Sequence, residues 1–442
     1  MPDQLTDAVF RALDARLTPD VDHPVALALS GGGDSVALLD LACAWGRARG
    51  RRILALSVDH GLNPDSPVWM QQAQGAALAA GADWRGLVWD GPKPTTGLPA
   101  AARAARHRLL AEAARAAGAR VILTGHTADD AAEGDWMRAQ GSTLGVLRGW
   151  SPSPAWPQGR ELMLLRPLLT TRREGLRDHL RDRRLDWIED PANADPRFAR
   201  SRARAALRDA TPPAPLSPPR TETPPTFTVT DEGMAILTAP TARALAVAVV
   251  CVGGGDRPPR GDRLARLVEQ AGSGEAFAAT LCGAAIRGDG QRIELFRNAG
   301  EYVRRPSDAL PLTPGGVAIW DGRFEIAVDA PDLSLVPAAG RLAALPRADR
   351  AWLKTLPAGV RGALPVLIRD DGSDPVLARG RAEVRCLVAL RLAQALDQTP
   401  HEADLSHAEW RRAGEPPMCG AETSTDPSRM PRPGAEAANE PA

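Results

Sequence analysis

The chain has 442 residues, 44% of them apolar, and its 54 basic and 54 acidic side chains balance to zero formal charge. That length exceeds one small core, so two or more domains are expected. Five scattered cysteines (Cys43, Cys251, Cys282, Cys386, Cys419) with no C-x-x-C pair argue against a zinc knuckle, an iron–sulfur site or a disulfide framework. The cations are almost all arginine, Lys93 and Lys354 being the only lysines, and arginine is the better partner for phosphate oxygens.

The opening MPDQLTDAVFRALDARL mixes charges with apolar residues at helical spacing and is not a secretory leader. No window is long and apolar enough to span a bilayer, so a soluble, cytoplasmic protein with no membrane partner is expected. VALALS (25–30), ILALSV (53–58) and VILTG (121–125) read as buried parallel strands, and RGLVW (85–89) as a weaker one. Between them, 35–49 and 100–117 carry helical periodicity. The alternation predicts an α/β fold with a doubly wound parallel sheet over residues 1–150. Ligands in such sheets lie beyond the carboxyl ends of the strands, where SGGGDS, SVDHG and TGHTADD all fall.

Residues 151–209 read as a helical, arginine-rich extension, with thirteen arginines against eight acids over 160–208. A proline-rich linker is expected at 210–226. A smaller C-terminal α+β region follows at 227–410, with an apolar helix at 241–252 and a β-like QRIELF at 291–296. Signals over 311–408 are weak, and 411–442 is polar and expected to be disordered.

The costliest feature is SGGGDS, between a strand and a helix. Consecutive glycines let main-chain N–H groups of Gly31, Gly32 and Gly33 turn inward as an anion nest, with Ser30 and Ser35 adding hydroxyls. No lysine follows, so this is not a Walker loop; the phosphate charge would fall to Mg²⁺, with Asp34 helping to hold it, and to arginines. The plainer alternative is a glycine-rich turn capped by Asp34 or Ser35.

LALSGGGDS resembles the pyrophosphate-binding loop of the ATP pyrophosphatase (PP-loop) superfamily, whose members cut ATP between its α and β phosphates and activate a substrate as an adenylate. Within it, SVDHGLNPDS (57–66), AARAARHRLL (101–110), TGHTADDAAEG (124–134), RPLL (166–169) and DWIEDPANADPRFARSRAR (186–204) follow in the order of the tRNA(Ile)-lysidine synthetase family. The similarity spans Leu27 to about Leu207 and is faint beyond Val229.

The resemblance implies a ligase. ATP adenylates the carbon-2 oxygen of the wobble cytidine in tRNA(Ile) with a CAU anticodon. The side-chain amine of L-lysine then displaces AMP, leaving lysidine and changing decoding from Met to Ile. ATP and Mg²⁺ are the implied cofactors. Lysine needs an anionic site and a route for its proton, for which His126, Asp129, Asp130 and Glu133 are candidates alongside Asp34. Glu133 lies four residues after Asp129 and three after Asp130, so the acids share a helix face; helix capping is the alternative role. Asp59 and His60 end the second strand and are candidates for nucleotide contact, or ordinary turn residues. Arg103 and Arg106 on one helix, and Arg197, Arg200, Arg202 and Arg204 beside Phe198, are candidates for substrate and tRNA contact, or solvated faces with ion pairs.

The chain departs from the family pattern at His107 (Tyr in the family), Thr127 (His), Ala131 (Gln), Gly134 (Thr) and QGST at 140–143 (RGSG). Two other readings stand beside the ligase: a cytidine thiolase of the same superfamily, disfavoured by the lack of paired cysteines, and a nucleotide- or RNA-binding relative without turnover. The C-terminal region is expected to recognise the tRNA, with a hinge at the linker.

Overall fold

The computed structural model describes residues 4–142, 145–189, 199–207, 226–259, 262–306, 308–369 and 374–405. Apart from Thr226, the expected linker, like the expected disordered tail, lies outside these residues.

Residues 25–123 fold as their pattern predicts. Strands β1 (Val25–Ala28), β2 (Ile53–Asp59), β3 (Asp83–Val88) and β4 (Val121–Leu123) join in a sheet with α1 (Gln4–Asp14), α2 (Gly33–Ala48), α3 (Ser66–Ala80) and α4 (Leu98–Ala116) around it. The apolar runs of β1 and β2 are buried, as strands covered on both faces must be. Ala26 pairs with Leu54 on one side and Ile122 on the other, which puts β1 in mid-sheet with the glycine loop at its carboxyl end. One face packs against Leu13 of α1 and Leu38, Leu41 and Trp45 of α2. The other packs against Leu110, Ala111 and Ala114 of α4.

The sheet does not stop at residue 150. Beyond α5 (Ala128–Ala139), β5 (Trp150–Pro152) runs antiparallel to β6 (Met163–Leu165), and β6 lies parallel beside β4, giving the order β3-β2-β1-β4-β6-β5. The segment read as wholly helical therefore contributes a strand pair before α6 (Arg173–Asp182) and α7 (Ala199–Ala206). A three-residue apolar strand buried on both faces has no alternation to betray it.

Residues 227–405 build three further sheets. In the first, β7 (Phe227–Val229), β8 (Ala235–Thr238), β9 (Ala276–Leu281), β10 (Ala284–Asp289) and β11 (Arg292–Arg297) are antiparallel in the order β7-β8-β11-β10-β9. The expected apolar helix, α8 (Ala242–Val252), is buried against them. Four- and three-stranded sheets from residues 310–386 share a second core around Phe324, Ile326 and Val366.

This region is fastened to the first. The Arg51 guanidinium donates to Glu402 at 2.8 and 3.0 Å, and both side chains are at most 1% exposed. Trp150 Nε1 donates to the Thr399 carbonyl (2.8 Å) and Trp156 Nε1 to that of Gly322 (2.9 Å). Arg385 bridges Glu161 (2.6 Å) and Glu325, which Arg160 also meets. No helix among the described residues is long and apolar enough to cross a bilayer.

Candidate functional site

The glycine loop closes on itself through its serines. Ser35 Oγ donates to the Gly32 carbonyl (2.8 Å) and accepts from the Ser30 amide (3.2 Å); the two hydroxyls lie 3.1 Å apart. Gly31 has φ +81°, in the left-handed region open to glycine. Its carbonyl accepts from the Ile188 amide (2.9 Å), so the DWIED segment pins the loop from outside. Helix α2 starts at Gly33, and its N-cap residue, Gly32, makes no side-chain capping bond. Glycine has no side chain to cap with, and the Gly32 amide donates to Ser30 Oγ (3.4 Å), so the two serines brace the loop as a turn while neither Asp34 nor Ser35 is the N-cap residue. A β-carbon on Gly33 would fall 1.1 Å from Nη1 of Arg177, so α6 packs directly onto the loop.

Facing the loop across the end of β4 are the acids of α5. Thr127 and Asp130 form a capping box: the Thr127 amide donates to Asp130 Oδ2 (2.8 Å), and the Asp130 amide to Thr127 Oγ1 (3.3 Å). Threonine in place of the family's histidine thus makes the helix cap. Asp129 turns to the next helix, accepting from the Arg173 main-chain amide (2.7 Å) and pairing with Arg172 (3.2 Å). Glu133, 2% exposed, accepts from Arg204 Nε (2.9 Å) at Oε1, while its Oε2 is buried without a partner.

Arg173 joins loop and acids. Its Nε donates to Asp34 Oδ2 (3.2 Å), Nη1 to Glu133 Oε1 (3.3 Å) and Nη2 reaches Asp130 Oδ1 (3.5 Å). Burial opposes its charge, but Asp130, Asp34 and Glu133 outweigh it and hold the guanidinium more firmly protonated than usual. Burial raises the Asp34 carboxyl, against the pull of Arg173 and Arg177, and Asp34 Oδ1 is buried with no partner. Burial also acts to raise Asp130, yet the Thr127 amide and the charges of Arg173, His126 and Arg200 keep it below the carboxylate range.

Across the crevice the charges differ. Arg103 and Arg106 on α4 gather with Arg166, which follows β6; burial, with mutual repulsion, lowers Arg106 and Arg166 to about 10. Among the described residues no carboxylate pairs with these three. Two histidines lie among them. His126, bonded to Thr124 Oγ1 (3.1 Å), is lowered to about 4 by burial and by Arg166. His107 is lowered to about 3 by burial and by Arg103, and its Nε2 is buried without a partner. His60, lowered by burial and by the Arg106 charge, edges onto Trp89.

The structure thus brings together Asp34, Asp130, Glu133, Arg200 and Arg204 through direct ion pairs, with His126 beside Asp130 and the α4 arginines. Asp59 accepts from the Gly61 amide (2.7 Å), the ordinary turn role. Arg202 is exposed on α7, and Arg197 lies outside the described residues. Sequence reasoning missed Arg173, Arg177 and Arg166. The RPLL motif contained Arg166, but nothing in an arginine-crowded segment singled out the other two.

The chain matches the PP-loop domain family over residues 5–211. It is 47% identical to the tRNA(Ile)-lysidine synthase of Caulobacter vibrioides over 408 residues, covering 90% of this chain and 99% of that one. The enzyme of the same name from Hyphomonas neptunium is 35% identical, over 71% of this chain and 88% of its own. That from Rhizobium meliloti is 32% identical, over 88% and 91%. Among solved structures, a U34-tRNA thiolase from Methanococcus maripaludis aligns at 16% identity with a TM-score of 0.40, covering 46% of this chain and 71% of that one. With a relative this similar along nearly its whole length, the chain belongs to the tRNA(Ile)-lysidine synthase family.

Proposed function

We propose that the crevice ligates L-lysine to carbon 2 of the wobble cytidine of tRNA(Ile) with a CAU anticodon, consuming ATP and releasing AMP and pyrophosphate. The observation carrying this reading is the glycine loop at the start of α2, flanked by a buried acid wall and by an arginine cluster that no carboxylate pairs with among the described residues. Each part suits one charge in the reaction. The loop amides and the start of α2 receive the β and γ phosphates, where negative charge grows as pyrophosphate leaves. Arg177, already packed on Gly33, adds a cation there.

The cytidine oxygen attacks the α phosphorus, the bond to pyrophosphate breaks, and carbon 2 becomes electrophilic. Lysine's ammonium must shed a proton before its nitrogen attacks carbon 2 and AMP departs. With Asp129 capping α6 and Asp130 capping α5, Glu133 is the acid with an oxygen to spare. We assign Glu133 to hold the amine and accept its proton. Asp129 and Asp130 position Arg173 and the helix. His126, neutral at physiological pH, offers the base a hydrogen bond without a competing charge. Arg103, Arg106, Arg166 and Arg200 line the RNA side, and residues 227–405 supply the wider tRNA footprint.

Mg²⁺ fits as a partner of substrate phosphates rather than of a protein cage. Among the described residues no three His, Cys, Asp or Glu groups converge on one point, while Asp34 Oδ1 is an unpartnered hard donor next to the loop. When bound, Mg²⁺ neutralises developing charge on the leaving pyrophosphate. The thiolase alternative needs a reactive thiol, but burial raises all four cysteines among the described residues, Cys43 and Cys251 to about 11 and Cys282 and Cys386 in the same direction. Incubating the protein with ATP, radiolabelled lysine and bulk tRNA tests the proposal. Label should enter RNA, with pyrophosphate release dependent on tRNA and AMP release dependent on both tRNA and lysine; pyrophosphate release without tRNA, or AMP release without lysine, overturns it.

A further inference from the structure

Arg173 does something the reaction itself does not require. Its guanidinium spreads three nitrogens over three carboxylates from two elements: Asp34 of α2, and Asp130 and Glu133 of α5. Those are the groups that a substrate ammonium would need. Nevertheless Glu133 Oε2 and Arg177 Nη1 are buried without hydrogen-bond partners at the same place, as is Asp34 Oδ1, which Arg177 Nη2 meets only at 4.0 Å. Arg204 and Arg200 also meet Glu133 (2.9 Å) and Asp130 (3.7 Å), yet these polar atoms stay unmet. A permanent structural ion pair would satisfy them.

We propose that Arg173 is a displaceable internal counter-cation, which occupies the lysine site until a triphosphate in the glycine loop draws it away. This rests on the functional reading above. Asp34 directly follows the loop, so Arg173 already reaches toward the phosphate site, and Arg177, one turn further along α6, lies on the loop itself. A triphosphate offers the guanidinium a stronger, bidentate anion than the single contacts it now makes. As Arg173 turns toward it, Glu133 and Asp130 each lose one of two arginine partners, Arg204 and Arg200 staying in place, and the vacated oxygens become a site for an ammonium. Nucleotide and lysine therefore bind with positive coupling, and the empty enzyme is closed to free amines.

Equilibrium dialysis of radiolabelled lysine against the full chain, with and without α,β-methylene ATP and Mg²⁺, tests this. In the unaltered protein the nucleotide should tighten lysine binding by about tenfold or more. Arg173→Gln should bind lysine without nucleotide, within about twofold of its affinity with it. A nucleotide-independent lysine affinity in the unaltered protein overturns the proposal, as does coupling that survives in Arg173→Gln. If that variant fails to fold, linkage supplies a second arm: lysine must tighten the nucleotide's affinity in the unaltered protein by the same factor, and no such tightening overturns the proposal. Label transfer to tRNA is measured in parallel. Transfer without coupling, or with no lysine bound in either state, sinks this inference and leaves the functional reading standing; absence of transfer sinks the functional reading.

Discussion

On the α5 side of the crevice each carboxylate already meets an arginine, whereas on the α4 side Arg103, Arg106 and Arg166 crowd together with no carboxylate pairing among the described residues. The first wall is nearly neutral and keeps its geometry without substrate. The second carries like charges that repel, with Arg166 buried, Arg106 half-buried and Arg103 at the surface, and burial and repulsion together lower the proton affinity of its members. A fold tolerates such a cluster when it is rigid and when its counter-ion comes from outside. Under the proposed function, the first wall takes the small cationic substrate and the second the polyanion. Burial is the first reason both histidines between them are neutral, and the neighbouring arginine charges add to it.

The contrast can be broken most sharply at Asp34. Asp34→Asn should lower lysidine formation by about 10³-fold or more, because it removes the carboxylate that would hold Mg²⁺ on the leaving pyrophosphate. Filter binding of tRNA should be unaltered, because the second wall is intact. Glu133→Gln comes next. Losing one side of a buried charge contact costs about 2 kcal/mol or more, so the KM for lysine should rise about 30-fold while the KM for ATP hardly moves. Arg106→Ala belongs to the other wall and should weaken tRNA by about tenfold with an unchanged lysine KM. Its salt dependence should flatten by about one unit of slope, which titrations at several ionic strengths would read.

The smallest effect concerns pH. His107 falls from an ordinary value near 6.5 to about 3 in the folded chain, so below pH 6.5 the unfolded chain takes up a proton that the folded one refuses. Its contribution to stability is full above that pH and is lost as pH falls toward 3. His107→Phe should therefore flatten the fall in unfolding free energy between pH 6.5 and 5 by up to about 1.4 kcal/mol per pH unit. Urea melts across that range would measure it. An unchanged slope would place the histidine's proton affinity elsewhere.

Local pattern made much of this site readable. SGGGDS between a strand and a helix, and an acid run after the fourth strand, are contiguous, and their chemistry follows from a few neighbouring residues. Which acid does what was not readable. In α5 it is Asp130, not Asp129, that completes the capping box, because Thr127, the N-cap, has extended dihedrals and aims its hydroxyl at the third helical amide. Arg173 was hidden for a different reason. Its partner Asp34 lies 139 residues earlier, and the packing of α6 on α2, not a motif, brings them together. The β6 strand was hidden by its shortness, and with it the true edge of the sheet. In the C-terminal region α8 announced itself by an unbroken apolar run, while the two small sheets beyond it, made of strands of two to five residues, gave no period to find.

The pair between Arg51 and Glu402 has a bearing on how the chain is made and dissected. During synthesis the first domain emerges with a guanidinium destined for its interior, and the carboxylate that compensates it follows 351 residues later. Until then Arg51 must stay hydrated or unsettle the strand it precedes. A polypeptide cut after residue 209 would inherit that defect permanently, at about 3–5 kcal/mol. Failure of such a fragment to pick its tRNA would therefore report poor folding as readily as a missing recognition surface. Adding residues 397–405 back as a separate peptide would tell the two apart.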